Sequence, residues 1–346
     1  MSLEVNIKKK LGKFNLEVEF NSDNDRIGIL GASGCGKSMT LKCIAGIENP
    51  DEGRIVLDGK VLFDSKEKIK LLPQKRKAGY LFQNYALFPN MTVAKNIGIT
   101  NPSDEKIASL IRKLHLEGLE NRYPNQLSGG EQQRVALARI LAYEPDIIML
   151  DEPFSALDGY LKEQLQREMT AILADYKGKV IIVSHNRNEI YRLSDKLVVI
   201  DKGHLVTFDD TENVFNNPRY VQAAKLTGCK NISKVKKIND YCINALDWNI
   251  ILKTKEKVTD CIEYVGIREN RIEVPVGLQH ETDKTNHEMN NVMKVDIVEM
   301  AQLPFHTSYI LRNSSGSDRD IWIKTTKQKE IKNISIPEDK LFLLRQ

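Results

Sequence analysis

Gly31-Ala32-Ser33-Gly34-Cys35-Gly36-Lys37-Ser38 fits the pattern G-x-x-x-x-G-K-[ST]. Glycines at this spacing let successive backbone N–H groups turn toward one point. A helix N-terminus behind them adds its positive end, so the stretch reads as a cradle for phosphate. In that chemistry Lys37 reaches the β- and γ-phosphates and the Ser38 hydroxyl is a ligand for Mg²⁺. The flanks suit the reading. Residues 25–30 read as a short buried strand, and Leu41, Ile44 and Ala45 recur at helical spacing over residues 39–47. Strand, glycine-rich loop and helix predict an α/β phosphate-loop NTPase that binds ATP or GTP.

Working outward, Leu3, Val5 and Ile7 alternate with polar residues, as do Leu16, Val18 and Phe20, which predicts two strands around a turn at residues 8–13. Residues 54–63 carry a hairpin signal with Asp58-Gly59 at the turn, so an antiparallel β-layer surrounds the nucleotide core. Residues 79–82 read as a strand running into an aromatic-rich loop, Gln83 to Pro89. Residues 92–125 read as helical, with a start at Ser103-Asp104-Glu105. In Leu127-Ser128-Gly129-Gly130-Glu131, Ser128 and Glu131 have capping-box spacing ahead of a helix. Ile147 to Leu150 is a continuous apolar run, as in a strand buried on both faces, and it ends in Asp151-Glu152-Pro153. Those residues suit either a helix cap followed by proline or a carboxylate pair at the carboxyl end of a parallel strand. Residues 179–183 form another buried strand, ending at Ser184-His185, and residues 196–200 a last one.

The length of 346 residues suggests two domains. A net charge of +4 with no basic tract argues neither for nor against a nucleic-acid partner. Five cysteines, scattered and without a CxxC pair, read as reduced thiols rather than a disulfide framework or zinc site. Residues 1–20 lack the apolar core of a signal peptide, and no apolar run approaches the ~20 residues of a membrane span.

In their order along the chain, these motifs resemble those of the ATP-binding cassette family over residues 1 to about 225. They are the phosphate loop at 31–38, Gln83, the LSGGE signature at 127–131, Asp151-Glu152, Ser155-Ala156-Leu157-Asp158 and His185. The resemblance implies a cassette with an antiparallel β-layer and a helical subdomain, working as a head-to-tail homodimer. Each ATP would lie between one copy's Gly31, Ala32, Ser33, Gly34, Cys35, Gly36, Lys37 and Ser38 and the other copy's Ser128, Gly129, Gly130 and Glu131. By position Glu152 is the general base, His185 contacts the γ-phosphate, and Lys37 spreads charge on the leaving group. Ser38, Gln83 and Asp151 attend the Mg²⁺, and Asp158 reports across the dimer. Phe14 is either the aromatic that stacks on adenine or an ordinary core residue.

Glu131 stands where the commonest signature has Gln, a form that resembles molybdate importer subunits. The family also implies a transmembrane permease docked near Tyr85–Pro89, an extracytoplasmic substrate-binding protein reached through it, and a place on the cytoplasmic face of the membrane. No nucleic-acid partner is expected. The division falls at 1–228 and 229–346. The second part is rich in short strand-like runs and reads as a small all-β barrel. Val265-Gly266-Ile267-Arg268 and Asn231 resemble features of the oligonucleotide-fold-like regulatory barrels of importer ATPases. Molybdate or tungstate is the expected cargo, with sulfate, iron, polyamine or sugar as alternatives. A soluble cassette ATPase acting on nucleic acid or the ribosome is the alternative class.

Overall fold

The N-terminal alternation produces β1 (Leu3–Leu11) and β2 (Phe14–Ser22), which bury Leu3, Val5, Ile7, Leu16, Val18 and Phe20. The structure, a computed structural model, describes residues 2–23, 26–155, 159–275, 291–326 and 330–346. The turn between β1 and β2 is tighter than residues 8–13. Pairing continues to Leu11↔Phe14, because Gly12 takes a φ of 61° that closes a two-residue turn.

β3 (Arg26–Leu30) leads into the glycine-rich loop and α1 (Lys37–Ala45). There follow β4 (Glu52–Leu57), β5 (Lys60–Asp64), β6 (Ile69–Lys70) and β7 (Ala78–Leu81). The stretch expected to be helical over 92–125 is helical only in α2 (Val93–Ile97), α3 (Asp104–Lys113) and short single turns. Pro102 separates the two helices. α3 starts at Ser103, whose hydroxyl accepts the Lys106 N–H, and stops before His115 (φ 51°) and Gly118 (φ 78°) turn the chain left-handed. Then come α4 (Gly129–Ala142), β8 (Ile147–Asp151), α5 (Gly159–Ala174), β9 (Lys179–Val183), α6 (Arg187–Leu193), β10 (Lys196–Asp201) and β11 (His204–Asp210).

These strands form one sheet in the order β6-β5-β4-β1-β2-β11-β10-β3-β9-β8-β7. β10, β3, β9, β8 and β7 run parallel, so their carboxyl ends open on the same edge. Strands β8 and β9 are buried at every position, as a parallel sheet covered on both faces requires. One core joins Leu3, Val5 and Ile7 of the antiparallel part, Ile147, Met149 and Ile181 of the parallel part, and Leu41 and Ile44 of α1. The helix carrying Lys37 and Ser38 is therefore packed from both sides.

The chain divides into Met1–Glu212 and Asn213–Gln346, earlier than the 228/229 division expected. The reason is packing. α7 (Thr211–Asn216) leads to α8 (Val221–Leu226), and Val221 and Ala224 share a core with Cys229, Ile232, Phe342 and Leu344. In the second unit β12 (Asn231–Asn239), β13 (Cys242–Ala245), β14 (Ile250–Lys253) and β15 (Tyr264–Ile267) precede β16 (Val292–Gln302), β17 (Thr307–Asn313), β18 (Ile321–Thr325), β19 (Asn333–Ser335) and β20 (Phe342–Leu344). Two antiparallel sheets, β14-β13-β12-β15-β20 and β18-β17-β16-β19, enclose a core around Trp248, Tyr309 and Leu252, a small β-barrel. The Asn231 amide joins them, accepting the Trp322 N–H at 2.7 Å and donating to the Trp322 carbonyl at 2.8 Å. Arg268 donates to the carbonyls of Thr227 and Phe215.

Candidate functional site

Four non-contiguous segments meet at the carboxyl edge of the parallel strands, where open α/β sheets place their ligands. The loop after β3 reaches α1 through Gly34 (φ 77°) and Gly36 (φ 110°). A Cβ on Gly36 would lie 2.5 Å from Leu16 Cδ1, and one on Gly31 2.4 Å from the Ile200 carbonyl oxygen. Both positions exclude side chains, so the backbone N–H groups stay uncovered. Lys37 is 5% exposed, and its Nζ donates to the carbonyls of Gly31 and Ala32 at 2.9 Å each, bracing the loop. Cys35 is buried in the core under the loop, and burial raises its thiol pKa.

The Ser38 hydroxyl donates to Asp151 Oδ1 at 2.8 Å, and the Tyr80 hydroxyl donates to Asp151 Oδ2 at the same distance. Tyr80 was not singled out from sequence. Its pKa is raised, first by burial and then by the Asp151 charge, so it is a proton donor throughout the physiological range. Glu152 holds a left-handed φ of 48°, and its N–H donates to the Val183 carbonyl on β9 at 2.9 Å. That backbone aims its carboxylate at His185, two residues beyond β9, where Oε2 and Nδ1 are 3.1 Å apart. Gln83, two residues beyond β7, donates to Ser155 Oγ at 3.4 Å.

Ser38, Gln83, Asp151 and Glu152 are among the residues lining two adjoining clefts of about 520 and 580 Å³ that share Ser38 and Gln83. Phe14, Ser33, Gly34, Gly36, Lys37 and Glu152 face the first, and Asp151 and Ser155 the second. Phe14 is half-buried there and packs on the core edge. Asp158, with Ala156 and Leu157, lies outside the described residues, as does residue 25.

The LSGGE stretch stands apart from the cleft-lining residues, at the start of α4. Ser128 and Glu131 form the expected capping box. The Glu131 Oε2 accepts both the Ser128 N–H and hydroxyl at 2.7 Å, and the Ser128 Oγ accepts the Glu131 N–H at 3.4 Å. Those bonds, the hydroxyl first, lower the pKa of Glu131 below the ordinary carboxylate value. Gly129 and Gly130 occupy the first helical positions, whose N–H groups have no acceptor within a helix. A depressed folded-state pKa stabilises above the unfolded value (~4.3) and loses that stabilisation as the pH falls through the folded one. Protection of the Glu131 and Gln132 amides, relative to their intrinsic exchange rates, is therefore expected to fall selectively below about pH 4, and a flat protection profile would count against the charged box.

The family model described as ABC transporter matches residues 14–155. The chain is 38% identical to the spermidine/putrescine import ATP-binding protein PotA of Clostridioides difficile (strain 630), over 68% of this chain and 67% of that one. It is equally identical to the molybdenum import ATP-binding protein ModC of Mannheimia succiniciproducens, over 64% and 63%. The matched region thus spans about two thirds of these relatives. Other relatives carry import names for Fe(3+) ions, in Haemophilus influenzae at 38% identity over 66% of each chain, and for sulfate/thiosulfate, in M. succiniciproducens at 35% over 67% and 68%. A dimeric ATP-binding cassette solved in a post-hydrolysis state with ADP and Pi superposes with a TM-score of 0.52 at 28% identity, covering 61% of this chain and 99% of that one.

Proposed function

We propose that this chain, which belongs to the ATP-binding cassette transporter family, is the ATP-hydrolysing motor subunit of an importer. The observation that carries the reading is the convergence of the phosphate loop, the Ser38–Asp151 pair, the Glu152–His185 pair and Gln83 on one sheet edge. Each comes from a different segment, and nucleotide hydrolysis needs all of them together.

The N–H groups of residues 33–38 would hold the phosphates, with Lys37 exchanging its two loop carbonyls for phosphate oxygens. Ser38 and Asp151 supply hard oxygen donors 2.8 Å apart, a set that suits Mg²⁺ completed by water. When bound there, Mg²⁺ supplies charge neutralisation between the phosphate oxygens. Glu152 would take the proton of the attacking water, and His185 holds that carboxylate in place through Nδ1. A second copy would bring Gly129, Gly130 and Ser128 to the outer phosphate, the Ser128 hydroxyl first leaving Glu131.

Tyr80 orients Asp151 from behind. Tyr80→Phe is expected to raise the Mg²⁺ concentration needed for tight nucleotide binding by about tenfold, the scale for partners of metal ligands. Fluorescent-nucleotide titration at graded Mg²⁺ reads this, and an unchanged Mg²⁺ midpoint would refute it.

No helix among the described residues is long and apolar enough to cross a membrane. The translocation path would therefore belong to permease subunits docked at the Tyr85–Pro89 loop, on the cytoplasmic face of the membrane. The relatives' names span several cargoes. Within them we propose an oxyanion of the molybdate class, supported by the LSGGE signature and by Lys10-Leu11-Gly12-Lys13-Phe14, which resembles the same stretch of molybdate and tungstate importer subunits. The test is ATP turnover and sedimentation of the full chain with ATP and Mg²⁺, followed by calorimetric titration of molybdate, tungstate and sulfate. We propose further that the β-barrel of the second unit is regulatory and binds this oxyanion as feedback. Absence of turnover would overturn the motor reading, whereas turnover without oxyanion heat would overturn only this feedback role.

A further inference from the structure

The loop after Gln83 is held by an arginine that the nucleotide site does not use. Tyr85 and Ala86 both take left-handed backbone, with φ of 61° and 44°, a conformation disfavoured for any residue bearing a Cβ. Such a pair persists only where its surroundings over-determine it. Asn96 of α2, fully buried, accepts the Phe88 N–H at 2.9 Å and donates to the carbonyls of Phe88, Met91 and Thr92. Arg139 of α4 grips the strained pair itself. Its Nη1 donates to the Ala86 carbonyl at 2.9 Å and its Nη2 to the Tyr85 carbonyl at 3.1 Å. The guanidinium also lies 5.2 Å from the centroid of the Phe88 ring, within cation–π range. Among the described residues no carboxylate pairs with Arg139, so its charge serves these carbonyls and this ring. Tyr85 is buried, while Phe88 is 43% exposed and Pro89 lies on the surface beside it.

We propose that Arg139 is a positioning residue that locks the Tyr85–Pro89 loop to α4, so that the apolar surface at Phe88 and Pro89 moves with the helix that begins at Gly129. The inference deepens the importer reading and rests on it, since that reading assigns a second copy's nucleotide to the start of α4 and the permease to the loop. Arg139 lies about 16 Å along the helix from the Ser128 cap, at 1.5 Å per residue. A rigid helix carries a displacement over that distance, and the arginine fork transfers it to two consecutive peptides. Lysine could hold one carbonyl but lacks the planar fork that holds both.

The test is hydrogen exchange on the full chain, with and without ATP and Mg²⁺, at the amides of Tyr85, Ala86, Phe88 and Met91. All four are hydrogen-bonded and therefore readable. Arg139→Gln and Arg139→Lys are expected to speed exchange at these amides by about tenfold or more, the scale for losing charge-assisted hydrogen bonds. Exchange in β3 and β8 and the affinity for ATP should stay unchanged. ATP with Mg²⁺ should slow the loop in the parent chain but not in either variant. Unaltered loop exchange in both variants, or a loop response to ATP that survives them, would overturn the proposal. Acceleration spread through α4 and β7 would mark general packing and overturn it as well. If the parent binds no ATP, the motor reading fails, while loop exchange in the variants still decides the clamp. Should Arg139→Gln fail to fold, Arg139→Lys keeps the charge and the stem.

Discussion

Glu152→Gln is expected to lower ATP turnover by at least about a hundredfold, the lower end of what a positioned general base contributes. Affinity for ATP should remain within a few-fold. The substitution isolates the carboxylate because it disturbs little else. Glutamine has the same shape and tolerates the same φ of 48° as other residues bearing a Cβ. The backbone bonds from the Glu152 N–H to Val183 and from Ser155 to the Glu152 carbonyl persist. What goes is the proton acceptor and the charge facing His185 Nδ1 at 3.1 Å. If hydrolysis is the step that releases the nucleotide sandwich, the variant should also accumulate as an ATP-bound dimer, visible by sedimentation. Wild-type turnover in the variant would remove Glu152 from the reaction and leave the fold untouched.

Arg76→Ala carries the second large expectation, a loss of about 3 to 5 kcal/mol in stability. Arg76 is fully buried and, among the described residues, has no carboxylate partner. Burial lowers its pKa, so the charge is retained at a cost. The compensation comes from carbonyls at the end of α1. Nη1 donates to Cys43 and Ile44 at 2.9 Å, and Nε to Leu71 at 2.8 Å, with the negative end of the helix dipole adding to the attraction. Gly46 makes room for the guanidinium, since a Cβ there would lie 2.5 Å from Arg76 Nε. Truncation would leave buried carbonyls without donors and open a cavity beneath the helix that presents Lys37 and Ser38. Arg76→Met, which keeps most of the volume, should cost less than Arg76→Ala because the cavity contribution is smaller. Urea denaturation of both variants, followed through the transition of the first unit, measures the difference. A shift below about 1 kcal/mol for Arg76→Ala would mean that the carbonyls find other donors.

What the sequence determined by itself is what depends on neighbours along the chain. Glycines at 31, 34 and 36 ahead of Lys37-Ser38, the Ser128–Glu131 spacing, and the unbroken apolar runs at 147–150 and 179–183 impose local backbone geometry or burial. They were legible without any knowledge of the fold. The long helical stretch at 92–125 failed because apolar spacing alone does not register the left-handed turns at His115 and Gly118. The compact units divide at 212/213 rather than 228/229, where α8 shares a core with Phe342 and Leu344 of β20, more than a hundred residues away in the chain.

Only the tertiary structure decided which side chains meet. Glu152 faces His185 because β8 and β9 are parallel neighbours, about 4.8 Å apart. Tyr80 reaches Asp151 because β7 lies on the other side of β8. Arg76 and Arg139 are ordinary surface arginines in a string of letters. Their roles exist only once α1 ends over one and the Gln83 loop folds onto the other. A motif is written in backbone torsions of adjacent residues, whereas a partner is set by strand order and register, which no short stretch of sequence contains.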